Sequence, residues 1–196
     1  MDFQKQKQVY LAELLSGKPD KSKKGFIDQE IKALVDAINA LPDYYTTSSC
    51  AGRILFYSTS EERKKNETQW LFTSHKPVTY EEIESALQNL PHALVFLRFE
   101  PLILHVACKD SAAAEKLLNM CHTAGLKHSG IMSISKRIIV EIIGHDLLDA
   151  PVAKGKLLVS KEWLIMALED ANAKMQRNQK RIEKLLFIVS SSAKQS

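Results

Sequence analysis

Residues 93 to 143 constrain the fold most, because they fit four strand-length apolar runs and one helical stretch into a short span. Runs at 93–99 and 102–108 flank Glu100 and Pro101, which read as a turn between two strands. A helix over 111–124 closes at Gly125, and strands near 127–134 and 137–143 follow. The order strand, strand, helix, strand, strand predicts one compact unit in which helices pack on a mixed or antiparallel sheet. That is an α+β fold.

The flanking sequence adds elements to this frame. An amphipathic helix is expected over 2–16, ending near Gly17 before Pro19, with a loop over 20–28. Ile31, Leu34, Val35, Ile38 and Leu41 recur at helical spacing, so 29–41 reads as a helix with Asp28 as N-cap and Pro42 as stop. Strands are expected at 44–49, 53–59 and 69–75, with the charged stretch SEERKKNET as a hairpin tip. Thr79 and Glu82 form a capping-box pattern for a helix over 79–90. A connector containing Pro151 and Gly155 then leads to a long C-terminal helix over about 161–186. Nothing in the 196 residues looks like a repeat or flexible linker, so a single domain over 1–196 is expected.

Composition narrows the class. The chain is 45% hydrophobic and 26% charged, as soluble globular proteins are. Its apolar runs fall short of the ~20 residues a membrane span needs. The first residues, MDFQKQKQVYLAELL, are too charged for a signal peptide. Cys50, Cys108 and Cys121 are odd in number and lack CxxC spacing, which argues against a disulfide framework and for a reducing cytoplasm. A net charge of +4 permits a polyanionic partner. Lys18, Lys21, Lys23 and Lys24 form one basic cluster, and Lys174, Arg177, Lys180, Arg181 and Lys184 form another. Such clusters are the footprint expected for nucleic-acid binding.

The chemistry-bearing stretch is YYTTSSCAGR, residues 44–53. Thr46, Thr47, Ser48 and Ser49 supply donors and acceptors without bulk, and Cys50 adds a thiol. Gly52 permits close backbone approach, and Arg53 can fork onto a carboxylate or phosphate. The stretch reads either as a polar turn or as a ligand-binding strand end. His75 and His105 are candidate proton acceptors or ordinary core or surface histidines. On the C-terminal helix, Leu164, Leu168, Ala171, Met175, Ile182 and Leu185 make an apolar seam. Lys174, Arg177, Arg181 and Lys184 line a stripe that either tracks phosphates or is simply solvated. No GxGxxG follows a strand, and neither a phosphate-binding P-loop nor a GxSxG elbow occurs. A standard Rossmann fold is not signalled. His105 with Cys108, and Cys121 with His122, lack the paired spacing of zinc ligands, so no metal site is expected.

Taken together, DKSKKGFID (20–28), YYTTSSCAGRI (44–54), WLFTSH (70–75), LRFEPLILHVAC (97–108), GLKHSGI (125–131) and NAKMQRNQKRI (172–182) resemble the tRNA wybutosine-synthesising protein 3 family in its stand-alone archaeal size. The resemblance runs over nearly the whole chain, and its motifs fall in family order. Ala51 departs from the serine common there, which touches only a secondary hydrogen bond.

The resemblance implies an S-adenosylmethionine-dependent methyltransferase, unlike the ordinary Rossmann type. Its target would be ring nitrogen 4 of a tricyclic guanosine derivative beside the tRNA-Phe anticodon. Asp28, His75 and His105, with Glu100 behind them, are the expected proton acceptors. Ser48, Ser49, Cys50, Arg53, Ser129 and Gly130 are expected to bind the cofactor. Lys21, Lys24, Trp70, Lys174, Arg177 and Arg181 are expected to contact tRNA, and Tyr45 is a further stacking candidate. The residues alone also allow a non-catalytic RNA-binding protein or, more distantly, a hydrolase built on Ser48 or Ser49.

Overall fold

A computed structural model describes residues 2–15, 27–60 and 68–193. The elements are α1 (Phe3–Leu15), α2 (Gln29–Ala40), β1 (Tyr44–Cys50), β2 (Arg53–Thr59), β3 (Gln69–Ser74), α3 (Tyr80–Gln88) and β4 (Leu94–Glu100). There follow β5 (Ile103–Cys108), α4 (Ser111–Thr123), β6 (Gly130–Ser133), β7 (Ile138–Ile143), β8 (Leu148–Lys154) and α5 (Lys161–Ala193). The strands form two four-stranded sheets in the orders β1-β5-β7-β6 and β3-β2-β4-β8. All their pairings are antiparallel, as an α+β protein allows.

Two compact units divide the chain. The first holds residues 1–51, 102–145 and 179–196, and the second 52–101 and 146–178. In the first unit α2 and α4 cover one face of their sheet. Ile31, Leu34, Val35 and Ile38 of α2 are buried with Leu104 and Val106 of β5 and Leu117 of α4. Pro42 ends α2 because it forces the preceding residue out of the helical region. Leu41 accordingly lies at φ −74° and ψ 138°. Helix α4 starts with Asp110 accepting the Ala113 N–H at 2.9 Å. It closes at Gly125, φ +89°, with Leu126 N–H donating to Cys121 O and Gly125 N–H to His122 O, a Schellman ending. On the opposite sheet face, Tyr45, Ala107 and Ile139 are covered by Phe3 and Tyr10 of α1.

In the second unit, Ile54, Phe56, Val95, Leu97 and Phe99 face Leu164, Leu168, Ala171 and Met175 of α5. The Thr79–Glu82 capping box forms as its sequence predicts. Asn172 clamps the approach to α3, exchanging two 2.8 Å hydrogen bonds with the Val78 backbone.

Three expectations need correction. The stretch 93–143 is not one compact unit, and the turn at Glu100 and Pro101 does not pair its two strands: β4 pairs with β2 and β8 in the second unit, whereas β5 pairs with β1 and β7 in the first. A two-residue hairpin loop needs positive φ at its first position, and the proline ring of Pro101 holds φ near −65°. The expected connector around Pro151 is instead strand β8. It sits at a sheet edge, where a missing N–H is tolerated. Asp28 occupies the N-cap position, but its side chain makes no capping bond there. Most of the 20–28 loop and the tip of SEERKKNET lie outside the described residues. No helix among the described residues is long and apolar enough to cross a membrane.

Candidate active site

Strand β1 is fixed to its unit by the hydroxyl run itself. Thr46 N–H donates to Asn39 Oδ1 at 2.8 Å, and Asn39 Nδ2 donates to Thr46 Oγ1 at 3.0 Å. Tyr44 is buried and donates its phenol hydrogen to Ala113 O at 2.9 Å, and burial pushes its pKa up to about 12. Beyond Thr46 the register shifts: Thr46 faces Val106, but Ser48, not Thr47, faces His105. Thr47 is the extra residue of a β-bulge, and its hydroxyl donates to His105 O at 3.3 Å. Two-residue alternation would have sent Ser48 to the face covered by α2 and α4. The bulge sends it to the face that carries His105.

There Ser48, His105 and Glu141 lie side by side on β1, β5 and β7. Ser48 Oγ is 2.8 Å from His105 Nδ1, and His105 Nε2 is 3.2 Å from Glu141 Oε1. The His105 and Glu141 side chains keep 25% and 32% of their exposure, so the row remains open to a ligand. Glu141 went unread in the sequence. Its signal was a lone acid among Ile139, Val140, Ile142 and Ile143.

At the end of β1, Asp28 reaches back to accept the Ala51 N–H at 2.9 Å. This explains the unused N-cap. The carboxylate fixes the strand exit instead, beside the half-buried Ser49 and Cys50. Ser129 is buried, and its hydroxyl accepts the Ile143 N–H at 3.3 Å. Gly130 opens β6 opposite Glu141, and space around it is open. His105 and Cys108 point to opposite faces of β5, as their spacing predicts. Burial pushes the Cys108 and Cys121 thiols up to about 12, which keeps them protonated.

The second unit carries the remaining candidates. His75 Nδ1 lies 2.7 Å from Gly52 O. A carbonyl only accepts, so Nδ1 holds the hydrogen and Nε2 is the acceptor nitrogen of the neutral ring. Arg53 donates from Nε to Glu100 Oε2 at 2.8 Å, and its guanidinium lies 4.3 Å from the ring centre of the half-exposed Trp70. Next to it Arg98 makes a forked contact with Asp149, at 3.1 Å from Nε and 2.6 Å from Nη2. Nη2 also donates to Tyr57 Oη at 2.6 Å. These contacts raise the Arg98 pKa.

Lys21 and Lys24 lie outside the described residues. On α5, Lys174 pairs with Asp170, Arg177 lies 3.4 Å from Asp146, and Arg181 Nη2 lies 3.2 Å from His145 Nε2. The apolar seam from Leu164 to Leu185 is buried as predicted. Asn178 is buried within it, at the period position between Met175 and Ile182.

Comparison with known proteins identifies the family. The family described as Methyltransferase TYW3 matches residues 5–189. The tRNA wybutosine-synthesizing protein 2/3/4 of Arabidopsis thaliana is 37% identical over 203 aligned residues, covering 93% of this chain and 20% of that protein. The chain thus spans about a fifth of the length of its plant relatives. The tRNA(Phe) 7-((3-amino-3-carboxypropyl)-4-demethylwyosine(37)-N(4))-methyltransferase of Methanocaldococcus jannaschii is 36% identical over 158 residues, 79% of this chain and 82% of that one. Among solved structures, protein PH1069 of Pyrococcus horikoshii superposes with a TM-score of 0.89 at 31% identity, covering 96% of each chain. With the sequence matched almost from end to end and the fold shared over the same length, the chain belongs to the methyltransferase TYW3 family.

Proposed function

We propose that the protein is an S-adenosylmethionine-dependent tRNA methyltransferase of the cytoplasm. Its substrate is ring nitrogen 4 of the tricyclic wyosine precursor, formed from guanosine beside the tRNA-Phe anticodon. The observation that carries this reading is the bulge at Thr47, which sets the Ser48 hydroxyl against His105 in a row that stays exposed beyond the residues α1 covers. Family membership and the activity for which the archaeal relative is named support it.

The residues at the end of β1 suit the amino-acid portion of such a cofactor. An α-ammonium needs a carboxylate and an α-carboxylate needs donors. Asp28 supplies the first, held by Ala51 N–H, and Ser49 with Cys50 supply the second. When bound, S-adenosylmethionine contributes an electrophilic methyl group on a sulfonium. The protein's tasks are then to hold the acceptor nitrogen in line and to take its proton. His105 takes the proton through Ser48. In the second unit, the Nε2 of His75 is a second candidate acceptor, and Trp70 and Arg53 offer a stacking surface for a base. Lys21, Lys24, Lys174, Arg177 and Arg181 attract the RNA backbone.

Purified protein, S-adenosylmethionine and tRNA-Phe bearing the unmethylated tricycle form the direct test. Mass spectrometry of the released nucleoside should show the gain of one methyl group at nitrogen 4. Unmethylated nucleoside, together with a flat calorimetric titration of the cofactor, would reduce the protein to an RNA binder.

A further inference from the structure

We infer that Glu141 is a positioning residue that fixes the tautomer of His105 and so makes Nδ1, through Ser48, the proton-accepting end of the site. The inference rests on the methyl-transfer reading for its chemistry and on hydrogen bonding alone for its geometry. An ionised carboxylate can only accept. Glu141 Oε1, 3.2 Å from His105 Nε2, therefore requires the hydrogen of the neutral ring to sit on Nε2. Nδ1 is then a lone pair, and the Ser48 hydroxyl at 2.8 Å donates into it. That leaves the Ser48 oxygen lone pairs turned outward, on the exposed side of the row.

The proton bookkeeping closes. As the acceptor nitrogen forms its bond to the methyl carbon, the methyl–sulfur bond breaks and its electrons return to sulfur. The N–H proton passes to Ser48 Oγ while the Ser48 proton passes to His105 Nδ1. The ring becomes imidazolium, and its positive charge lies against the Glu141 carboxylate. Without that carboxylate the ring could carry its hydrogen on Nδ1, and Ser48 would face a donor instead of a base. The adjacent strands hold all three groups, so the row needs no rearrangement on binding.

Nitrogen-15 spectroscopy of His105 in the unliganded protein tests the assignment without any turnover. In the wild type, Nε2 should show the hydrogen-bearing signature and Nδ1 the lone-pair signature. Glu141→Ala should give a mixture of tautomers, and Glu141→Gln an intermediate one, with urea midpoints close to wild type. Methyl transfer should lose ten-fold or more in kcat in Glu141→Ala with KM for tRNA unchanged. Glu141→Gln should recover part of that loss. A hydrogen on Nδ1 in the wild type, or unchanged spectra in Glu141→Ala, would overturn the assignment whatever the activity. A wild-type protein with the expected spectra but no methyl transfer would instead sink the reading under which the relay works. A fluorophosphonate that labelled Ser48 would move the row to acyl chemistry.

Discussion

Replacing Gly52 with alanine should be the most costly small change in the second unit. Gly52 has φ +92°, a region L-residues rarely adopt. An added Cβ would lie 2.8 Å from Glu100 O, 2.9 Å from Pro101 C and 3.0 Å from Asn178 Nδ2. The first two contacts are backbone and cannot swing away. The conformational part costs about 1–2 kcal/mol and the overpacking about 1–3 kcal/mol. Reduced freedom of the unfolded chain offsets about 0.4–1 kcal/mol. The net is about 1–4.6 kcal/mol, or a Tm lowered by roughly 2–18 °C at this chain length. Two other glycines separate the terms. Gly125 has φ +89° but nothing within 4 Å of its added Cβ, so Gly125→Ala meets the conformational part alone. Gly130 has neither problem, and Gly130→Ala should sit within about 0.5 kcal/mol of wild type. Urea midpoints and calorimetric Tm values for the three variants make the comparison. If Gly52→Ala loses no more than Gly125→Ala, the close approach at the Glu100–Pro101 backbone is not the constraint argued for it.

Arg98→Ala removes the forked contact to Asp149 and the hydrogen bond to Tyr57, leaving a half-buried carboxylate. It should cost about 1–3 kcal/mol by urea unfolding, and an unchanged midpoint would mark the network as surface decoration. The Cys108 and Cys121 thiols have folded-state pKa values raised from 9.0 to about 12. Their contribution is full below pH 9, the unfolded value, and is lost as pH rises from there toward 12. Urea midpoints should therefore fall from pH 9 to 11, and less steeply in a variant carrying Cys108→Ala and Cys121→Ala; parallel curves would contradict this. Arg177→Ala with Arg181→Ala should weaken tRNA binding and make its log–log salt slope shallower by about 1.4–1.8. An identical slope would leave that stripe a solvated helix face.

Much of the scaffold was legible because local rules decide it. Helix α2 shows its buried face in the spacing of Ile31, Leu34, Val35 and Ile38, and Pro42 ends it. The Thr79–Glu82 box and the Gly125 ending each satisfy backbone groups within a few residues. Strand partnership is different, since it depends on which distant run supplies the ladder. Strands β4 and β5 are adjacent in sequence, yet they join different sheets, and each pairs with one earlier strand and one later one. Strand β8 was hidden by Pro151, which breaks a central strand but not an edge one. In the site, the hydroxyl run and His105 stood out by residue type. Glu141 did not, because an acid within an apolar strand acquires meaning only from its cross-strand neighbour.

The β-bulge is where sequence periodicity and site geometry part company, and it can be tested by deletion. Strict alternation from Tyr44 would put Tyr45 and Thr47 on the face of His105, and Ser48 behind it. The register instead pairs Tyr45 with Ala107, Thr46 with Val106 and Ser48 with His105, skipping Thr47. Removing Thr47 alone should give a regular strand in which Thr46 still faces Val106 and Ser48 still faces His105. The hydroxyl–imidazole contact and its nitrogen-15 signature should survive, while Ser49 and Cys50 keep their partners Leu104 and Ile103. Replacing Thr47 by alanine should also preserve the contact, since only the bond to His105 O at 3.3 Å is lost. If deletion moves Ser48 away from His105 while circular dichroism shows the fold intact, neither the Thr46–Val106 side nor the Ser49–Leu104 side of the strand sets the register, and the bulge itself is what brings the hydroxyl to the imidazole. Asp28→Asn tests the exit end separately, because it weakens the hold on the Ala51 N–H without touching the ladder, and Ser48 should then stay on His105.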